Sequence, residues 1–136
     1  MTRPAFALTL LAFTASVTAS FTAPLSAAPL PAPAHAEVEA LLLSLEKSGC
    51  QFNRNGSWYS GAEARAHLQQ KLDYLEGKGL IQTSEQFIEK GASSSSMSGK
   101  AYQVRCGNAA PVESRKWLED QLGAQRAAAK APAASR

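Results

Sequence analysis

The first 36 residues of the chain contain no Asp or Glu, and their single basic residue is Arg3. An apolar run from Ala5 to Phe13 follows, and mostly small residues come after it. This order is typical of a cleavable secretory signal peptide, whereas a membrane-spanning helix needs about 20 consecutive apolar residues. We therefore expect the chain to be secreted, with no transmembrane segment once the signal peptide is removed.

The predicted cleavage site lies where small residues meet the first acidic residue. Signal peptidase requires small residues at positions −3 and −1 of its site, and Ala34-His35-Ala36 supplies them directly before Glu37. A cut after Ala28 or after Ala19 also satisfies this requirement, although Pro29 would follow the first of these cuts. The sequence favours cleavage after Ala36.

Acidic and basic residues nearly balance in the remainder of the chain. The whole chain carries a formal charge of +3, but residues 37–125 hold 10 basic and 11 acidic groups. A near-neutral domain does not favour nucleic-acid binding. We divide the chain into a signal peptide over residues 1–36, a domain over 37–126 and a disordered Ala-rich tail over 127–136.

Cysteine is scarce, since Cys50 and Cys106 are the only two in the chain. In an exported domain of this size, an even number of cysteines predicts a disulfide. There is no C-x-x-C motif, and His67 is the only histidine after residue 36, so a four-ligand zinc site is not expected and neither is another cofactor. A thiol nucleophile paired with His67 is a weaker alternative, because it would have to escape oxidation beside a second cysteine.

Helical and extended patterns alternate in the predicted domain. Apolar residues recur at helical spacing in four segments, and three short segments have the character of strands. Asn55-Gly56 is typical of a two-residue hairpin turn, and Ser60 with Glu63 forms the sequence pattern of a helix capping box. The predicted helices cover residues 37–48, 61–77, 84–91 and a final segment from about 111 to 126, and the predicted strands cover 50–54, 57–59 and 101–106.

This order of elements predicts a small single α+β domain. We expect a three-stranded antiparallel sheet, formed by the hairpin and one further strand, packed by about four helices and joined by one disulfide. Cys50 begins the first strand and Cys106 ends the third, so the two would lie close together if those strands pair antiparallel.

Four motifs in succession form one recognisable pattern. They are Ser48 to Gly56, then Glu63-Ala64 with His67 to Lys71, then Thr83 to Ile88, and finally Ala92 to Val104. The pattern resembles the YfeK-like family of small exported bacterial proteins, a domain of unknown function, over roughly residues 37–126. The resemblance implies a periplasmic location and a single small domain, and it implies no activity.

Several polar residues could converge on an anionic ligand. His67 and Lys71 lie four residues apart on the second helix, Arg54 precedes the hairpin turn, and the serine-rich loop 93–98 ends near Lys100. If the loop covers this helix, cationic groups and hydroxyls would together bind a phosphate or carboxylate. The site residues we single out are Arg54, His67, Lys71, Ser96, Ser98 and Lys100. The structural alternative is that the serines hydrogen-bond within their own loop, Arg54 pairs with a carboxylate or helix end, and His67 supports the hairpin.

Known catalytic motifs are missing. Ser98-Gly99-Lys100 does not complete a phosphate-binding loop, because Ser94 stands where that motif needs glycine and Ala101 where it needs Ser or Thr. No G-x-S-x-G nucleophile motif is present. We predict a non-catalytic module that binds an unknown periplasmic protein or a small anionic ligand. The alternative is a small hydrolase or transferase that uses His67 with a serine of the 93–98 loop.

Overall fold

The computed structural model describes residues 28–131, and within them it contains four helices and one four-stranded sheet. This arrangement confirms the predicted α+β class. None of the helices in the described range is long and apolar enough to cross a membrane. In chain order the elements are α1 (Ala32–Lys47), β1 (Gln51–Arg54), β2 (Ser57–Tyr59), α2 (Gly61–Gly77), α3 (Ser84–Gly91), β3 (Gln103–Arg105), β4 (Val112–Glu113) and α4 (Ser114–Lys130).

The sheet has the strand order β2-β1-β3-β4, and every neighbouring pair is antiparallel. Gln51 of β1 pairs with Arg105 of β3, which places the residue before β1 beside the residue after β3. Cys50 and Cys106 occupy those positions and form the predicted disulfide. Their sequence separation of 56 residues closes a long loop, and chain-entropy arguments value such a crosslink at about 4 kcal/mol.

The fourth strand is absent from the sequence prediction, which gave three strands. Val112 and Glu113 pair with Val104 and Gln103 of β3. Two residues are too few to show an alternating pattern, and both side chains are exposed. The pairing forms because the segment before α4 crosses the otherwise open edge of β3.

Local signals determine how the hairpin leads into α2. Asn55 and Gly56 have φ of +52° and +87°, and their two-residue turn is one that favours Asn-Gly because both central positions need positive φ. Ser60 then caps α2: its hydroxyl accepts a hydrogen bond from the Glu63 amide, and the Glu63 carboxylate accepts one from the Ser60 amide. The hairpin and the capping box are both confirmed.

One hydrophobic core lies between the helices and the inner face of the sheet. Each fully buried leucine or phenylalanine contributes about 1.5–3 kcal/mol through the hydrophobic effect. The N-terminus of α2 approaches the end of α1 so closely that a Cβ on Gly61 would lie 2.5 Å from the carbonyl oxygen of Leu45. The largest fully buried side chains include Phe52, Phe87, Leu41, Leu42, Leu45, Leu68, Leu72, Ile81, Ile88 and Leu118.

Two helices extend beyond their predicted limits. The sequence prediction started the first helix at Glu37, whereas α1 begins at Ala32 and has Pro33 in its first turn, where proline is tolerated. The last helix was predicted to end near residue 126, whereas α4 continues to Lys130 through an alanine run of high helix propensity. Most of the predicted signal peptide, residues 1–27, and the end of the predicted tail, residues 132–136, lie outside the described residues.

Candidate anion-binding site

Two elements place Arg54 and His67 against each other. Arg54 is the last residue of β1, and His67 lies in the second turn of α2, which the capping box starts directly after the hairpin. Nη1 of Arg54 lies 2.8 Å from Nδ1 of His67. Because a guanidinium group can only donate, this contact requires an unprotonated Nδ1, and the proton of a neutral imidazole is then on Nε2.

Tyr102 continues this chain of hydrogen bonds. Nε2 of His67 lies 3.3 Å from the Tyr102 hydroxyl, and Nζ of Lys71 donates to the same hydroxyl at 3.2 Å. Lys71 also donates to the carbonyl oxygen of Ser94 at 3.2 Å, and its ammonium lies 5.0 Å from the centre of the Tyr102 ring. The Tyr102 hydroxyl oxygen therefore accepts hydrogen bonds from both His67 and Lys71, and neither contact uses the hydroxyl proton.

This cluster of Arg54, His67, Lys71 and Tyr102 contains donors and positive charge but no carboxylate. Among the ion pairs within residues 28–131, none includes Arg54, His67 or Lys71. All three side chains are partly buried, and Tyr102 is only 2% exposed. Positive charges without a counter-ion in a partly buried position are costly, because water cannot fully solvate them.

The electrostatic environment shifts three pKa values in the cluster. Burial, then the charges of Arg54 and Lys71, hold the pKa of His67 below its usual 6.5. Burial, then Arg54, also hold the pKa of Lys71 below 10.5. Burial raises the pKa of Tyr102 above 10.0, although Arg54 acts in the opposite direction. An anion bound beside His67 and Lys71 would raise both of their pKa values again.

Two cavities have His67 and Gln70 in common among their lining residues. The larger, of about 360 Å³, combines the polar groups of Arg54 and His67 with apolar wall. The smaller, of about 280 Å³, includes Lys71 and Ser96. The larger cavity is lined by Phe52, Arg54, Tyr59, Glu63, Ala64, Ala66, His67 and Gln70.

One acidic group does border the larger cavity, but the helix cap already uses it. The Glu63 carboxylate accepts hydrogen bonds from the amide and the hydroxyl of Ser60, at 2.8 and 2.9 Å. The backbone hydrogen bond of Ser60, followed by that of its side chain, lowers the pKa of Glu63. Glu63 is therefore held at the N-terminus of α2, where the helix dipole favours a negative charge, and it does not neutralise Arg54.

The structure brings together only some of the residues that the sequence singled out. Arg54, His67 and Lys71 are joined through Tyr102, and Ser96 lines the smaller cavity. Ser98 instead donates to the Asn55 side chain at 2.6 Å.

Lys100 is exposed and lines neither of these two cavities, although its backbone amide donates to the Ser98 hydroxyl at 3.3 Å. The buried Ser95 organises the loop by accepting hydrogen bonds from the amides of Met97 and Ser98. These contacts agree with the alternative in which the serines hydrogen-bond within their own loop.

Sequence reasoning missed Tyr102 as a site residue. Its backbone amide donates to the carbonyl of Ser93, and its carbonyl accepts from the amide of Ser114, so the residue is held between the serine loop and the start of α4. The alternation of residues 101–106 could have placed Tyr102 on the same inward face as Val104. Its hydroxyl reaches His67 across 35 residues of sequence, and the local pattern does not encode that contact.

The chain matches a family model described as "Family of unknown function (DUF5329)" over residues 32–126. It is also 44% identical over 68 residues to the uncharacterized protein YfeK of Salmonella typhimurium strain LT2. That match covers 49% of this chain and 55% of the relative, so the chain spans about half the length of the curated relative. No solved structure matches. The two matches confirm the resemblance to a YfeK-like family of unknown function.

Proposed function

Since the chain belongs to DUF5329, a family of unknown function, we propose from the geometry of the site that it is an exported, non-catalytic binding module for a small organic anion. The proposal depends on one observation. Arg54, His67, Lys71 and Tyr102 form one hydrogen-bonded cluster at the border of the two cavities, and no carboxylate of the described residues forms an ion pair with Arg54 or Lys71.

The chemistry of the cluster favours an oxyanion as the bound group. A carboxylate or phosphate oxygen accepts hydrogen bonds, so it complements the cationic donors of this cluster. Charge-assisted hydrogen bonds contribute about 1.5–3 kcal/mol each, roughly twice as much as neutral ones. Binding would also remove the cost of holding Arg54 and Lys71 near each other without an anion.

The walls of the larger cavity indicate what the rest of the ligand is. Phe52, Tyr59, Ala64 and Ala66 form an apolar surface beside the Arg54 guanidinium. An apolar wall next to a cationic end fits a carboxylate attached to an aliphatic or aromatic body better than a bare inorganic ion. We therefore propose a small carboxylate with an apolar part as the ligand class.

The contacts of His67 support binding over catalysis. Its Nδ1 is the acceptor for Arg54, its Nε2 faces Tyr102, and none of its hydrogen bonds within the described residues is to a serine. A general base needs a free lone pair within reach of the nucleophile and a pKa near the working pH. Hydrolysis of p-nitrophenyl acetate that is lost in both His67→Ala and Ser96→Ala would instead support the hydrolase alternative.

Export to the periplasm is the second part of the proposal. The signal-like composition of the first 36 residues supports it, and so does a disulfide that joins the only two cysteines of the chain. Disulfides persist in oxidising compartments and are rare in the cytosol. Fractionation of the producing cells would test this part directly.

Calorimetric titration with benzoate tests the binding proposal, with benzamide as the neutral ligand of the same shape. We expect benzoate to bind and benzamide to bind at least tenfold more weakly, because one charge-assisted contact is worth more than the 1.4 kcal/mol that a factor of ten represents. Inorganic phosphate, titrated separately, tests whether the anionic group alone is sufficient.

The matched variants are Arg54→Gln and Lys71→Met in the site and Lys100→Met outside it. Because Arg54 lines the larger cavity and Lys71 only the smaller one, we expect Arg54→Gln to weaken benzoate binding at least tenfold and Lys71→Met to weaken it less. Lys100→Met should leave benzoate binding unchanged, and thermal unfolding verifies that all three variants remain folded. Equal binding of benzoate and benzamide, or equal loss in Arg54→Gln and Lys100→Met, would refute an anion site at this cluster.

A further inference from the structure

The segment before Glu37 contributes to the folded domain. The Leu30 side chain is 7% exposed and belongs to the hydrophobic core. The carbonyl oxygen of Ala28 accepts a hydrogen bond of 2.7 Å from the Gln82 side chain, 54 residues away. Residues that supply an apolar side chain and a long-range hydrogen bond are structural parts of the domain.

The first turn of α1 makes two further contacts. Nδ1 of His35 lies 2.6 Å from the Glu76 carboxylate at the end of α2, and the Ser84 hydroxyl oxygen lies 3.3 Å from the carbonyl oxygen of Ala34. These contacts connect the start of α1 to α2 and α3. Cleavage after Ala36 would remove both of them together with Leu30.

A chain that started at Glu37 would also begin within a helix. The first five residues of α1, Ala32 to Ala36, would be lost, and a new α-ammonium group would lie at the positive end of the helix dipole. The loss of the first turn and the positive charge at this end of the helix are both unfavourable, and neither occurs if the cut lies further upstream.

We infer that the exported chain is processed upstream of Pro29, so that the mature domain retains Leu30 and all of α1. This inference rests on the proposed export. Small residues suited to signal peptidase precede Pro29 in Ser26-Ala27-Ala28 and also occur in Val17-Thr18-Ala19. Both cuts keep Leu30 and α1, but only the cut after Ala19 also keeps the Ala28 carbonyl that Gln82 binds. The family match begins at residue 32, before Ala36, so the shared domain includes the first turn of α1.

The first test is the N-terminus of the mature protein. The full chain is produced in a bacterium that has a periplasm, and the periplasmic protein is examined by intact mass and N-terminal sequencing. We expect a start at Pro29 or at a residue upstream of it. A start at Glu37 would overturn this inference and leave the proposed export intact. A full-length chain retained in the cytoplasm would overturn the proposed export and this inference with it.

The second test uses the stability of the same mature protein. Leu30→Ala in the full chain creates a cavity in the core only if Leu30 remains after processing, and we expect the Tm to fall by about 5 °C or more. Leu43→Ala on α1 is the matched control, because Leu43 is 37% exposed and its truncation leaves no enclosed cavity. Leu30→Val is a milder variant should the first not accumulate. Unchanged Tm in both Leu30 variants would overturn the inference.

Discussion

Replacement of Arg126 by glutamine should release α4 from two other helices. Nε and Nη2 of Arg126 bind the two oxygens of the Glu37 carboxylate at 2.8 and 2.9 Å. Nη1 binds the Glu85 carboxylate at 2.5 Å. Arg126 thereby joins α4 to α1 through Glu37 and to α3 through Glu85. Glutamine keeps much of the length of the side chain but loses the charge and the paired donor geometry.

The pKa of Glu37 indicates how much stability Arg126→Gln should lose. The hydrogen bonds from Arg126, and then that from Ser84, lower this pKa from 4.5 to about 2. Taken at face value the shift corresponds to about 3 kcal/mol, since one pKa unit equals about 1.36 kcal/mol. The side chains of Glu37 and Arg126 are 30% and 42% exposed, so solvent screening reduces the effect. We therefore expect Arg126→Gln to lower the free energy of unfolding by about 1 kcal/mol at pH 7.

The loss of stability in Arg126→Gln should be larger at pH 7 than at pH 3. The pKa of Glu37 is lower in the folded state than in the unfolded state, so its contribution is fully present above about pH 4.5 and is lost as the pH falls toward about 2. Urea unfolding of the wild type and of Arg126→Gln at pH 7 and at pH 3 measures the difference in their free energies of unfolding at each pH. We expect the difference between the two proteins at pH 3 to be less than half of its value at pH 7.

Arg115→Gln is the matched control for this prediction. Arg115 forms an exposed pair with Glu119 one turn away on the same helix, and such pairs contribute only a few tenths of a kcal/mol. If Arg126→Gln is no more destabilising than Arg115→Gln at pH 7, Arg126 does not anchor α4. If its effect is the same at pH 7 and pH 3, Glu37 is not the titrating partner.

Three further predictions concern the disulfide, helix packing and the site. Replacing Cys50 and Cys106 together by alanine should lower the free energy of unfolding by about 4 kcal/mol in urea titrations, and an unchanged midpoint would contradict a structural role. Gly61→Ala should lower the Tm because its Cβ would clash with the backbone of α1. Gly123→Ala has open space around it and should keep or raise the Tm, so equal shifts in the two variants would refute the close approach of α2 to α1. The pKa of His67, followed by NMR, should lie below 6.5 and rise when benzoate binds. A midpoint above 6.5 in the free protein would contradict its burial beside Arg54 and Lys71.

The elements that sequence reasoning placed well depend on local physics. Asn55-Gly56 adopts positive φ because those residues tolerate it, and Ser60 caps α2 because a hydroxyl at that position satisfies free helix amides. The pairing of Cys50 with Cys106 could be predicted because they are the only two cysteines of the chain. The turn and the cap are determined within a few residues, and two cysteines allow only one intramolecular pairing.

The elements that were missed depend on longer-range packing. The Pro- and Ala-rich start of α1 has the composition of a linker, but burial of Leu30 and the contacts of His35 make it part of the domain. The two residues of β4 pair only because β3 offers an open edge. At the site, Arg54 and His67 could be proposed from spacing, whereas Tyr102 joins them through tertiary contacts that no local pattern shows.

Both edges of the sheet are short. The outer strand β2 has three residues and the outer strand β4 has two, and Pro111 directly precedes β4 and has no amide hydrogen to donate. Short edges offer few unpaired backbone groups to a strand from another molecule. The fold therefore resists edge-to-edge aggregation once formed.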